Sequence, residues 1–465
     1  MPEHRAFRFG PRDRRGLIAG VRTGQAVVVV TSLLLGLAGL YALRGGERAL
    51  VAVVLLLGAA VAFLPVGGRT LEEWAPVAAR FSSGAALGTR RDTVRPTRGP
   101  RPPAALAAFS VLELALPDGA SIGALHDARA GTLSAVLSAE GGAFALLDPS
   151  ERARLIEAWS SVLASAAHGT APARLQWIVR SVPDAAAELR ERIAATWKAP
   201  AAAAVRSARA SYESFVARER AGALRQETLL VVTVRAPSSA RRAGEAAHAL
   251  AGAVASYAHR LREAGVSLDG LASAPGLRAM LRRSFDPTPL LGEVHFPWPV
   301  DVDETWATLR TDATWHASYW IAEWPRHEVG SDFLLPLVAG AAERRAVSVV
   351  MAPIAPTKAT RSAERARTSV IADDELRRRH GFALSARTRR EQQAVLRREG
   401  ELAEGHAAYR FSGFVTVSAA SAEELEGACS RVEQAGALAR LELRRLYGSQ
   451  AEGFCCTLPV ARGCR

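Results

Sequence analysis

Two uncharged apolar runs near the start of this chain limit what it can fold into more than any other feature. The first is Gly24 to Leu43 and the second Ala49 to Val66, separated only by Arg44-Gly45-Gly46-Glu47-Arg48. As helices at ~1.5 Å per residue each run is about 27–30 Å long, which matches the hydrocarbon thickness of a bilayer. The expectation is a transmembrane hairpin with helices over 24–43 and 49–66. A secretory signal peptide fits less well, because the first run is long for one and no clean small-x-small cleavage site precedes the loop. Small residues four apart, Ser32/Gly36 and Gly58/Ala62, could let two such helices pack closely.

Charge sets the expected topology. Arg12, Arg14, Arg15 and Arg22 precede the first run, and Arg69, Arg90 and Arg91 follow the second. By the positive-inside rule both flanks belong on the cytoplasmic side, so the expected location is a bacterial plasma membrane, crossed twice, with both termini in the cytoplasm. The chain carries a formal net charge of +13, and Lys198 and Lys358 are its only lysines. Such an arginine bias reflects a GC-rich genome more than a chosen chemistry. The excess charge suits anionic lipid headgroups, with nucleic acid as an indirect contact.

With 465 residues the chain is too long for one small domain. The expected division is an N-terminal segment and hairpin at 1–81, a basic Pro/Gly linker at 82–104, and a cytoplasmic α+β region at 105–465. That region divides further into subdomains of about 105–290 and 291–465. Its fold class is read from strand–helix–strand units. Short strands with turns fill 105–148, and Pro149-Ser150-Glu151 opens a helix to about Ala167. Thr228–Val234 reads as a strand followed by a helix over Ala240–Glu263, and Tyr409–Val417 as a strand followed by a helix over Ala422–Leu438. Leu230-Val231-Val232-Thr233-Val234 and Gly413-Phe414-Val415-Thr416-Val417 share a texture that suggests two related units. Long helices fill about 357–407.

Catalytic signatures are missing from the sequence. A phosphate-cradling loop needs Gly-Lys followed by Ser or Thr, but Lys198 and Lys358 each precede alanine and follow no glycine. No His-Glu-x-x-His, Gly-x-Ser-x-Gly or Cys/His cluster with metal spacing occurs, so no catalytic, cofactor or metal residue is assigned and the expectation is a non-enzyme without cofactors. Cys429, Cys455, Cys456 and Cys464 read as reduced thiols. His406 beside Glu401 and Glu404 reads as surface groups at a helix end. His316 and Glu323 point to opposite faces of a straight strand and make an unlikely acid/base pair. Five of nine tryptophans fall between Trp298 and Trp324. Trp315, Trp320, Glu323 and Trp324 are the candidate partner interface, with Trp320 and Trp324 expected on one strand face, because tryptophan is enriched in interface hot spots.

Several segments carry a resemblance. They are Phe7-Arg8-Phe9-Gly10-Pro11 and Arg14-Arg15-Gly16-Leu17 before the apolar runs, and Gly68-Arg69-Thr70-Leu71-Glu72-Glu73-Trp74-Ala75-Pro76-Val77 after them. Further on stand Trp320-Ile321-Ala322-Glu323-Trp324-Pro325, Arg398-Glu399-Gly400-Glu401-Leu402-Ala403-Glu404-Gly405-His406 and Tyr409-Arg410-Phe411-Ser412-Gly413. The chain resembles an actinobacterial family of type IV secretion or conjugation-associated membrane proteins, with a PrgI-like hairpin joined to a region similar to the non-catalytic part of the conjugation ATPase. The resemblance implies a non-enzymatic subunit that docks a separate P-loop ATPase and other membrane transport subunits in a hetero-oligomer. The competing expectation is a structural membrane component of a type VII-like secretion complex. A membrane-tethered enzyme of unrecognised chemistry is a third reading.

Overall fold

The computed structural model describes residues 9, 23–42, 44–67, 69–93, 102–115, 121–140, 146–167, 173–183, 207–208, 210–212, 214, 224–236, 240–287, 296–339, 343–379 and 386–463. The first described elements are α1 (Thr23–Ala42), a 3-10 turn at Gly45–Arg48 and α2 (Ala49–Phe63). The small strands β1 (Pro65–Val66) and β2 (Arg69–Thr70) pair with each other and lead into α3 (Leu71–Ala86). Strands β3 (Arg91–Thr93), β4 (Phe109–Ala115), β5 (Ser121–Asp127) and β6 (Thr132–Ala139) follow, then α4 (Pro149–Ala166), β7 (Arg174–Pro183) and β8 (Leu224–Arg235). Next come α5 (Ala240–Glu263), β9 (Leu268–Leu271), α6 (Ala274–Phe285), β10 (Asp301–Glu304), β11 (Leu309–Thr311) and β12 (Thr314–Glu323). The chain continues with α7 (Leu335–Val338), β13 (Arg344–Ile354), α8 (Pro356–Arg379), α9 (Ala386–Ala403), β14 (Ala408–Ala419), α10 (Ala422–Leu438), β15 (Glu442–Arg445) and α11 (Gln450–Thr457).

α1 and α2 touch through their small residues. Gly36 is buried against Val51 and Leu55, a Cβ on Gly58 would collide with Ser32, and the Gln25 side-chain amide donates to the Ala62 carbonyl at 2.9 Å. Most of their leucines and valines are exposed, among them Leu34, Leu37, Leu56 and Leu57. α1 is long and apolar enough to cross a membrane, whereas α2 has 15 residues. The expected span over 49–66 is therefore corrected. Pro65 has no amide N–H and holds Leu64 in extended backbone, so the helix stops at Phe63 and Pro65–Val66 become strand. The segment read as a linker is also shorter than expected. α3 runs to Ala86, and Arg91–Thr93 pairs antiparallel with β10.

Mixed helix and sheet fill the rest. Among the described residues 13 strands form one sheet, in the order β3-β10-β11-β12-β14-β13-β7-β8-β6-β5-β4, with β15 also on β12 and β9 also on β6. Every pairing is antiparallel. Outward from the β7–β13 pair the order repeats: β8 matches β14, β6 matches β12, β5 matches β11, β4 matches β10 and β9 matches β15. Along the chain, β5-β6-α4-β7-β8-α5-β9-α6 is followed by β11-β12-α7-β13-β14-α10-β15-α11, with α8 and α9 inserted in the second unit. The two sequences that share a texture, in β8 and β14, occupy equivalent places. Ser134 and Thr233 hydroxyls meet at 2.9 Å in the first unit, and Ser318 and Thr416 meet at 2.9 Å in the second.

Strand alternation divides the core between the two faces. On one face α4 and α5 cover Leu133, Ala135, Leu175, Leu230 and Val232, while α7 and α10 cover Ala317, Tyr319, Val347, Val415 and Val417. On the other, α6, α11 and the C-terminal segment cover Leu125, Val136, Ile178, Leu229 and Val231. Gln176 seats that segment. Its amide nitrogen donates to the Cys456 and Leu458 carbonyls at 3.1 and 2.8 Å, and its oxygen accepts from Ala461 N–H at 2.7 Å. Cys429, Cys455 and Cys456 are free and buried.

Candidate anchoring and docking surfaces

Downstream of the apolar helices, α3 sets one foot on the sheet. Thr70 N–H donates to Glu73 Oε2 at 3.2 Å, which satisfies one of the unpaired amides at the start of the helix. Trp74 Nε1 donates to Val66 O at 2.9 Å, and its ring lies 5.8 Å from Trp306 and 6.2 Å from Tyr447. Phe81 meets Trp306 edge-on at 5.1 Å. Arg90 closes the contact, with its guanidinium 4.7 Å over Phe81 and paired with Glu304.

This changes the reading of the basic flank. Arg69 lies 5.2 Å over Trp74, and burial lowers its pKa. Arg69 and Arg90 therefore hold protein groups, while Arg91 is exposed on β3. Arg12, Arg14, Arg15 and Arg22 lie outside the described residues.

Upstream of the apolar helices, Phe9 sets a second foot. Its ring lies 5.1 Å from Trp324, 5.4 Å from Phe333 and 6.3 Å from Phe411, and Trp324 meets Phe411 edge-on at 5.2 Å. Gly413 makes room here, because a Cβ at that position would run into Ile321 and Trp324. The sequence reading missed Phe9, Phe81, Trp306, Phe333, Phe411 and Tyr447 as contact residues. Phe7-Arg8-Phe9-Gly10-Pro11, an aromatic pair in a basic stretch, was the signal available for Phe9.

The candidate partner residues do not form one surface. Trp315 and Trp324 pack against the α10 side of the sheet. Trp320 alternates with Tyr319 and Ile321 and so shares the other face with His316 and Ser318. A register shift between Ile321 and Glu323, where β12 pairs with β15, resets the alternation and carries Trp324 to the opposite side. The expected shared face of Trp320 and Trp324 is corrected on that ground. Glu323 pairs with Arg326.

His316 is buried, with Nε2 2.8 Å from Thr311 Oγ1 and Nδ1 2.8 Å from Ser418 Oγ, and it sits apart from Glu323. Burial first, and the Arg344 charge second, lower its pKa to about 3, so it is a neutral core group. His406 is exposed, 3.9 Å from Glu404, just after α9. Among the described residues no group of three or more His, Cys, Asp or Glu could hold a metal ion.

One family model matches the chain. Its description is "Putative type VII ESX secretion system translocon, EccE", and it covers residues 223–321, from the start of β8 to Ile321 in β12. The matched stretch crosses from the first sheet unit into the second. No curated protein sequence matches the chain. The match overturns the type IV resemblance: the conjugation-associated family, the PrgI-like hairpin and the conjugation-ATPase likeness rested on short markers, most of them outside 223–321, whereas the matched stretch is continuous and is similar to a type VII component.

Proposed function

We propose that this chain is a non-enzymatic membrane subunit of a type VII-like secretion complex, in which the sheet-rich body offers docking surfaces to other membrane subunits. The observation that carries the reading is the match over 223–321 to a type VII translocon component. Support comes from α1, an apolar helix long enough to cross a bilayer, with large apolar side chains exposed along α1 and α2. In this reading both apolar helices sit in the plasma membrane, the shorter α2 packed against α1, and the arginine-rich flanks keep both ends in the cytoplasm. Basic residues such as Arg91 meet anionic headgroups. The body divides functionally at about residue 290, between its two related units.

The energy-supplying ATPase is a separate subunit of the same complex, and the α10 side of the sheet, around the half-buried Trp315, is the first candidate surface for a partner. The test is purification of the tagged full chain from native membranes in mild detergent. Recovery with type VII membrane subunits, including a P-loop ATPase, is the expected result. Recovery of the intact chain alone, under conditions that keep the other subunits associated, would overturn the reading.

A further inference from the structure

On the face covered by α6 and α11, the end of β7, the start of β13 and the last turn of α6 leave a narrow cleft. Arg180, Arg283, Ser284, Arg344, Ser418 and Thr457 line it. Two features set the chemistry of this cleft, and neither belongs to the anchoring surfaces.

The first is a charge with no direct ion pair. Arg180 is fully engaged: Nε and Nη2 donate to Glu227 Oε2 at 3.0 and 2.8 Å, and Nη1 donates to Ser284 Oγ at 2.7 Å. Glu227 also holds Arg225 at 3.0 Å. Arg344 has no such partner. Among the described residues it forms no ion pair, its Nε is buried with no hydrogen-bond partner, and Nη2 reaches only the Arg283 carbonyl at 3.5 Å. Burial lowers the Arg344 pKa to about 10, with Asp286 opposing and Arg180 adding to the shift, so the group stays charged at neutral pH. Arg283 places a second, exposed guanidinium at the mouth. Asp286 acts on this charge without forming a direct ion pair with it, which leaves the guanidinium fork open to the paired oxygens of a phosphate.

The second feature is the contrast with the other sheet unit. Arg174 opens β7 as Arg344 opens β13, and both point to the same face. Arg174 is capped by the chain itself, through the Ala461 carbonyl at 3.1 Å. At Arg344 the equivalent cap is replaced by the long contact to Arg283 O. The hydroxyls beside it are already committed, Ser418 to His316 and Thr457 to Thr416 and Phe454. Recognition therefore falls to the guanidinium groups.

We propose that the Arg344–Arg283 cleft binds a phosphate-monoester dianion, either free or as a lipid headgroup. The site is independent of the secretion assignment.

The test is thermal melting and titration calorimetry on the detergent-purified full chain. The probes are inorganic phosphate and short-chain phosphatidic acid, with chloride at equal ionic strength as the control. The expected result is saturable stabilisation by at least one phosphate probe, weakened at least ~10-fold in Arg344→Gln, the scale of one lost charged hydrogen bond. Arg283→Gln weakens it too. In phosphate-free buffer Arg344→Gln should melt near the wild-type temperature, because Arg344 forms no direct ion pair and its Nε has no hydrogen-bond partner. A response to phosphatidic acid alone supports the site with a lipid source, and a response to both supports free phosphate. No saturable response to either probe overturns the proposal, as does an undiminished response in folded Arg344→Gln or a response to carboxylates of equal strength.

Discussion

At the scale of single residues, His316 is buried with both ring nitrogens engaged by hydroxyl groups, and that makes it a pH-dependent liability. The folded protein keeps the imidazole neutral down to about pH 3, because burial excludes the charged form and Arg344 repels it. The unfolded chain protonates the same ring near pH 6.5. Between those values the unfolded state binds the extra proton, so this contribution to stability is complete above about pH 6.5 and is lost as the pH falls. The loss is roughly 1.4 kcal/mol per pH unit. Denaturant unfolding of the detergent-purified chain at pH 7.5, 6 and 5 should show this slope, and His316→Gln should flatten it between pH 6.5 and 5, where most carboxylates do not titrate. Equal slopes in both proteins would refute the assignment. The sequence placed His316 on a strand and ruled out a dyad with Glu323, but not its partners. Thr311 and Ser418 reach the ring through the β11–β12 and β12–β14 pairings, and such long-range register leaves no mark in one sequence.

At the scale of elements, the apolar pair α1–α2 shows what periodicity and small residues reveal. The stripe Ser32/Gly36 and Gly58/Ala62 is where the helices touch, and Gly58 is where they come closest. Gly58→Leu should force them apart and cost about 1–3 kcal/mol, the usual range for overpacking. It should lower the melting temperature in detergent, whereas Leu56→Ala, on a side chain 70% exposed, should leave it unchanged. Equal melting of both variants and wild type would count against the packing. Helices with strong patterning were legible elsewhere too: α5 and α10 have the bounds their composition predicted, Ala240–Glu263 and Ala422–Leu438. The end of α2 was misread because an apolar run ignores what Pro65 does to the backbone before it. Trp324 was misread because a bulge shifts strand alternation by one, and no residue type announces that shift.

At the scale of the whole molecule, the apolar helices are held to the body from both ends, and both feet stand on the second sheet unit. Phe9, ahead of α1, rests on Trp324 after β12, Phe333 before α7 and Phe411 in β14. α3, behind α2, rests on Trp306 between β10 and β11 and on Tyr447 after β15. Two contacts with no shared residue thus hold the sequences on either side of the helices to the body. The first unit, β4 to α6, then extends beyond the clamped half across the β7–β13 pair. This arrangement predicts real energetic coupling across the Phe9 contact. In a double-mutant cycle on the detergent-purified full chain, Phe9→Ala and Trp324→Leu should be coupled by about 0.5–1.5 kcal/mol, the range for aromatic pairs. Phe9→Ala and Phe81→Ala, on separate feet, should instead add within about 0.5 kcal/mol. Additive losses for Phe9 and Trp324 would mean that the upstream segment does not hold the body. Coupling between Phe9 and Phe81 would mean that the two feet act as one hinge, and the body would then be oriented by a single joint.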